Sequence, residues 1–345
     1  MSRGVEFGLD TFGDNTADAD GAPVAQAQVI RDVIEQGILA DRARVDYFGL
    51  GEHHRDDFAV SAPEVVLAAI AAQTSRIRLG TSVTVLSSDD PVRVYERFAT
   101  LDAVSSGRAE ITVGRGSFTE SFPLFGYNLQ DYEVLFDEKL ELLAALRGGG
   151  PVTWSGSVRA GLSGQRVYPK TESGELPVWV GVGGSPDSVV RSARHGFPMM
   201  LAIIGGPPQR FAPYVKLFRD ATVRFGHEGL AVGVHSPGFI ADSDSGAQEI
   251  LFPYMKASRD RIGRERGWPP MTRQSFNDEI EHGAMHVGSP DTVAGKIAST
   301  VRGLDLQRFD LKYSVGQMPA NFLERNVELY GSEVIPRVRH LLDAT

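Results

Sequence analysis

The sequence predicts a closed (β/α)8 TIM barrel, an α/β fold laid out as a single domain over residues 1–345. Three observations carry that expectation. Short apolar runs alternate with longer amphipathic ones almost from end to end, which is the pattern of strand–helix units around a parallel sheet. The units number eight, which favours a closed barrel over an open doubly wound sheet. A chain of 345 residues suits one barrel with inserted loops, because barrels routinely exceed 250 residues.

The elements follow in order. VEFGLDTF (5–12) reads as the first strand, and the run at 24–43 has apolar residues at helical spacing. VDYFGLGE (45–52) is the second strand. The helix at 62–74 takes Ser61 as its expected N-cap and Pro63 in its first turn. IRLGTSVTVL (77–86) is the third strand. The helix at 91–107 opens on Pro91 and ends at Gly107. AEITVG (109–114) and the helix at 131–146 form the fourth unit. Residues 148–175, rich in Gly and Ser with two short β-like pieces, read as an inserted hairpin ahead of the fifth strand, LPVWVGVGG (176–184). Its helix is 185–196. Strand 197–204 and helix 208–226 come next, then strand 230–241 and a helix near 244–266. A second insertion, expected to be irregular, spans 267–287. Helix 289–304, strand 308–316 and helix 319–343 finish the chain.

Composition removes whole classes of chemistry. There is no cysteine, which excludes disulfides, thiolate metal sites, iron–sulfur clusters and cysteine nucleophiles. The net charge of −9 argues against a dedicated nucleic-acid binder. No apolar run approaches the length of a membrane span. MSRGVEFGLDTFGD lacks a charged start followed by an apolar stretch, so no signal peptide is expected, and a cytoplasmic enzyme is. No spacing of metal ligands is present.

In such a barrel the site lies where the strands end. The second strand ends in GEHHRDDF (51–58). Strand alternation would send His53 and His54 to opposite sides, so they are not expected to chelate one metal. Either can be a general acid/base, because imidazole titrates nearest neutrality, or a packed, hydrogen-bonded side chain. The fourth strand ends in TVGRGSF (112–118). Arg115 between two glycines has a free guanidinium, suited to two phosphate oxygens. The fifth ends in VGVGGSPDSVV (180–190). Gly183 and Gly184 let backbone approach a ligand, and Ser185 caps a helix whose free amides favour an anion. A near copy, VGSPDTV (287–293), is an equally good helix start. The third strand offers Thr81 and Ser82 hydroxyls. Asp89 and Asp90 read as a cap before Pro91. Lys312 is the one Schiff-base candidate and reads more readily as a snorkelling surface lysine. Trp154, Trp179 and Trp268 read as packing, and His195, His227, His282 and His340 as structural.

Taken together, YFGLGEHHRDDF (47–58), the long block at 77–126, LPVWVGVGGSPDSVVRSARHGFPMML (176–201) and VGSPDTVAGKI (287–297) resemble the bacterial luciferase-like family of flavin-dependent monooxygenases. The resemblance implies reduced FMN as cofactor, O2 as co-substrate, and oxygenation of a small organic substrate through a C4a-hydroperoxyflavin. It implies a separate flavin reductase as partner and a homodimer. It places the FMN phosphate on Arg115 and on Gly183, Gly184 and Ser185, which favours the first GSPD copy. It places the catalytic histidine on His53, and a non-proline cis peptide under the flavin ring at Ser82–Val83. Relatives that use the deazaflavin F420 for hydride transfer, and non-catalytic flavin-binding relatives, are the alternatives. Asp90 stands where luciferases have a histidine, Gly184–Ser185 where they have an acidic–Ser pair, and Gly114 where some relatives have cysteine. Aldehyde oxidation with light emission is therefore not expected.

Overall fold

The computed structural model describes residues 4–116 and 118–344; Met1–Arg3, Ser117 and Thr345 lie outside the described residues. Strand β1 (Glu6–Thr11) leads through helix α1 (Gln26–Arg42) to β2 (Tyr47–Leu50), and α2 (Pro63–Ala71) follows. The third strand is broken into β3 (Arg78–Thr81) and β4 (Thr84–Val85), and α3 (Pro91–Val104) leads on to β5 (Ile111–Gly114). Short α4 (Ser121–Phe125) and α5 (Tyr132–Arg147) precede an antiparallel hairpin, β6 (Val152–Trp154) and β7 (Leu162–Gln165). Then come β8 (Val178–Val182), α6 (Pro186–Arg194), β9 (Met199–Ala202), α7 (Ala212–Phe225), β10 (Val232–Ile240) and α8 (Asp244–Arg266). After α9 (Arg273–Glu281) and β11 (His286–Gly288), α10 (Pro290–Leu304) leads to β12 (Arg308–Lys312). The end is α11 (Ala320–Leu329), a π-helical turn and α12 (Ile335–Asp343).

Parallel pairing runs β3-β2-β1-β12-β10-β9-β8-β5-β4. Because β3 and β4 are one strand in the chain, and Leu79 bridges Ala109, the circuit closes into the (β/α)8 barrel. The hairpin lies inside the predicted insertion before the fifth strand. The second insertion differs from expectation. Residues 273–281 are helical and 286–288 add a strand beside β10. The helix starts on Thr272, whose hydroxyl accepts from Ser275 N in a capping box, a signal that the Pro- and Met-rich context obscured. At α2 the N-cap is Ala62 and makes no side-chain bond, so Ser61 does not cap; Pro63 alone sets the start. Among the described residues, no helix is long and apolar enough to cross a membrane.

Period-two alternation sorts the strand residues. Phe7, Leu9, Phe48, Leu50, Ile111, Val113, Val234, Phe309 and Leu311 are buried in the hydrophobic core that the helices cover. The alternate positions face the barrel interior, and they are polar: Asp10, Glu110, His235, Arg308, Asp310 and Lys312. Arg308 is fully buried and bonds both Asp310 oxygens at 2.9 and 3.0 Å, and Glu110 as well. Its guanidinium lies 3.4 Å from the centroid of the Tyr47 ring. Glycines make room for this filling. A Cβ at Gly8 would fall 2.1 Å from an Asp310 oxygen, and one at Gly80 2.7 Å from the Glu110 carbonyl.

Candidate active site

The C-terminal strand ends open on a cavity of about 550 Å³. Phe12, Phe58, Phe118, Val83, Met200 and Met255 supply much of its apolar wall. His53, His54, Arg115, Ser82, Gly183, His235 and Lys312 all reach it.

Strand β2 ends at Leu50, and residues 51–54 are irregular. Strand alternation therefore does not govern the two histidines, and both border the same cavity, contrary to the expectation that they diverge. They differ in surroundings. His54 Nε2 sits 2.9 Å from Glu52 Oε1, while Glu52 Oε2 accepts from Val85 N at 2.9 Å. His54 is thus tied to β4 through Glu52. His53 is enclosed by rings: Phe58 stacks at 4.3 Å, and Phe12 and Phe118 meet it edge-on at 4.8 and 5.4 Å. Burial pushes the His53 imidazole down to about 3, so it is neutral at physiological pH.

The third strand breaks at a cis peptide between Ser82 and Val83, where the resemblance implies one. Both residues line the cavity, whereas Thr81 is buried and spends its hydroxyl on the Thr112 carbonyl. Val83 stands between two interior glycines. A Cβ at Gly114 would meet it at 2.6 Å, and one at Gly181 at 3.1 Å. Asp90 caps α3, accepting from Val92 N at 2.9 Å and Arg93 N at 3.4 Å, and Asp89 pairs with Arg97.

Arg115 projects from the turn after β5. Its Nη2 donates to Ser188 Oγ at 3.1 Å, its Nη1 pairs with Glu133, and its guanidinium lies 5.2 Å from the Tyr132 ring. Of the three residues after β8, Gly183 lines the cavity, and a Cβ there would meet nothing within 4 Å. Gly184 adopts φ +97°, a left-handed turn that favours glycine. Ser185 does not line the cavity; its hydroxyl accepts from Ser188 N at 3.3 Å and donates to Ser188 Oγ at 2.8 Å. The second GSPD start is filled from within. Asp244 accepts from Ser289 N at 2.6 Å and from Thr292 Oγ1 at 3.0 Å, so a carboxylate already caps α10. Among the described residues no carboxylate from another element caps α6 in this way, and the geometry separates the two copies where the spacing did not.

Two readings are corrected. Lys312 is not a surface lysine: its place on the inward face of β12 leaves it about 10% exposed, bonded to Asp14 Oδ2 at 2.7 Å and Ser314 Oγ at 2.9 Å. Trp268 does not pack in the interior as Trp154 and Trp179 do; it is 40% exposed at the cavity mouth, with Arg259 and Arg266 against its ring.

The sequence missed His235. It faces inward from β10, stacks parallel to Phe12 at 6.0 Å, and bonds Asp10 Oδ2 through Nδ1 at 2.7 Å. The signal was the period of β10 itself: Val232 and Val234 face the helices, so His235 must face inward with Gly233 and Pro237. Burial alone would lower the His235 imidazole, but Asp10 outweighs it and the net shift is upward. The pair therefore stabilises the fold fully below the free-histidine value of about 6.5, and that contribution is lost as pH rises through the raised value. A side-chain NMR titration is expected to show His53 neutral throughout pH 5–8 and His235 still protonated above pH 6.5, with Asp10→Asn lowering the His235 midpoint. A His53 midpoint near 6.5 would contradict this assignment of charge.

The sequence pattern of the family described as luciferase-like monooxygenase matches residues 5–306. The chain belongs to the luciferase-like monooxygenase family. A curated relative, the 4-hydroxyprotoasukamycin monooxygenase of Streptomyces nodosus, is 27% identical over 333 residues, covering 87% of this chain and 85% of that protein. The oxygenating constituent of 3,6-diketocamphane monooxygenase from Pseudomonas putida, a type II Baeyer–Villiger enzyme solved with FMN, superposes with a TM-score of 0.77. The identity is 18%, over 97% of this chain and 98% of that one. An F420-dependent secondary alcohol dehydrogenase superposes at 0.76 with 16% identity, over 97% and 99%. This luciferase-like monooxygenase is thus an oxidoreductase on a fold that serves both flavin and deazaflavin chemistry.

The residues present fit the phosphate and ring of a flavin or deazaflavin. In this luciferase-like monooxygenase one corner of the cavity joins the Arg115 guanidinium, backed by the Ser188 hydroxyl, to the open Gly183 ahead of a helix start. An apolar shelf at Val83 adjoins it.

Proposed function

We propose that this luciferase-like monooxygenase uses reduced FMN and O2 to oxygenate a small organic substrate. The observation that carries the reading is the joining of an anion corner at Arg115 to an apolar cavity that ends on His53. Arg115, Gly183 and the capped start of α6 at Gly184–Ser185 would hold the phosphate. Ser82 and Val83 would support the ring.

When bound, the reduced flavin supplies the activation of O2 that side chains lack. The protein's own contribution is a dry, aromatic chamber. Phe12, Phe58 and Phe118 keep water from the space beside His53. His53, neutral, offers one ring nitrogen as acceptor and the other as donor, so it acts chiefly as a hydrogen-bond partner toward the reacting oxygen, its lowered basicity making it a weak proton acceptor. A reductase delivering the flavin, a homodimeric state and a cytoplasmic location complete the reading, with residues 1–345 working as one domain.

The fold likeness to an F420-dependent dehydrogenase supports a second reading, hydride transfer from the deazaflavin without O2. Titration with FMN and with F420, followed by admitting air to the reduced complex, separates the two. Saturable FMN binding with oxygen uptake above that of free reduced FMN is expected. Binding of F420 alone would establish the second reading, and binding of neither would remove both.

A further inference from the structure

Glu133 occupies part of the Arg115 guanidinium assigned above to the ligand anion. It is the second residue of α5, its side chain 59% exposed, with one oxygen on Arg115 Nη1 and the other 2.8 Å from Arg191 Nη2. Arg191, on α6, is buried and is also paired with Asp137. Two arginines therefore face two carboxylates, and the corner is electrically balanced before any phosphate arrives. A phosphate dianion added to it would find its guanidinium already engaged. The bonds on either side of Arg115 differ in kind. Ser188 offers a neutral hydroxyl at 3.1 Å, while Glu133 offers a full charge.

We propose that Glu133 is an internal competitor for the flavin phosphate, so that FMN binds by exchanging one anion for another on Arg115. The inference rests on assigning the phosphate to Arg115. The exchange strands no charge, because Glu133 keeps Arg191 when it releases Arg115, and its place in the first turn of α5 favours a carboxylate regardless. Buried Arg191 also keeps an unpartnered Nη1, so the second arginine has donor capacity to spare. The effect is a phosphate site of restrained affinity, suited to a flavin that arrives and leaves each turnover.

The test measures binding of FMN, and of riboflavin, which lacks the phosphate, to the full-length protein by quenching of flavin fluorescence. Glu133→Gln is expected to tighten FMN by roughly threefold to fivefold, the range of an exposed ion pair, and to leave riboflavin unchanged. Glu133→Asp keeps the charge but withdraws it by one methylene, so it too is expected to tighten FMN. An unchanged or weaker FMN complex in Glu133→Gln would overturn the proposal. So would Glu133→Asp matching the parent while Glu133→Gln tightens, since that pattern needs only repulsion at a distance. If Arg115→Ala leaves the FMN-to-riboflavin affinity ratio intact, the phosphate assignment itself falls, and the exchange with it.

Discussion

Replacing Arg308 with alanine is expected to cost about 3–5 kcal/mol of folding stability, the range for breaking a buried ion pair from one side. The guanidinium is fully buried, holds Asp310 at 2.9 Å and 3.0 Å, bonds Glu110, and lies over Tyr47. Without it Asp310 loses its arginine partner inside the barrel, and Glu110 is left with Arg78 alone of its two arginines. Burial already holds the Asp310 carboxyl up at about 6 even with Arg308 beside it. Glu110 is held below the usual range, because Arg308 and Arg78 outweigh its burial. In the variant Asp310 would lose the cation that lowers it and rise further above its unfolded value, while Glu110 would keep Arg78. Asp310 would then be protonated in the folded state over a pH range where it is ionised in the unfolded one, so the deficit grows as pH rises and shrinks toward pH 5. Urea unfolding of parent and variant at pH 5 and pH 8 checks both statements. A loss under about 1 kcal/mol, or a deficit larger at pH 5, would contradict them.

Arg115→Ala is expected to weaken FMN about tenfold to a hundredfold, corresponding to the roughly 1.5–3 kcal/mol of a hydrogen bond between charged groups. Riboflavin binding is expected to stay within a factor of about two, since a ligand without phosphate has nothing to lose at that corner. The fold itself should be little affected, because the Glu133 partner of Arg115 is exposed and surface pairs contribute little. Fluorescence quenching with the two flavins measures the ratio directly. Equal losses for both would mean that the side chain shapes the ring pocket instead of holding phosphate.

Much of the architecture was legible because burial writes a period into the chain. The apolar runs at 5–12, 45–52 and 176–184 each contain a barrel strand, and the Pro-led starts at 63, 91, 186 and 290 all begin helices. Arg115 and Gly183 were legible because each follows a strand end, and in a barrel strand ends share one face. The insertion at 267–287 was misread because its helix is only nine residues long and its capping box uses Ser275 in place of a glutamate. Lys312 was misread because a lone lysine carries no sign of its partner, and Asp14 is 298 residues away.

The sequence by itself determined the barrel, its hairpin insertion, the lack of thiol chemistry and the residues that follow each strand. All of these are set by local period, composition or neighbours along the chain. Only the tertiary structure decided that His54 is bound to Glu52 while His53 is walled by aromatic rings, and that the α10 start is closed by Asp244 while the α6 start is not. It alone paired His235 with Asp10 and placed Glu133 on Arg115. The physical reason is that charge state and hydrogen-bond capacity depend on which distant groups share a low-dielectric space, and barrel closure brings together residues that no spacing rule connects.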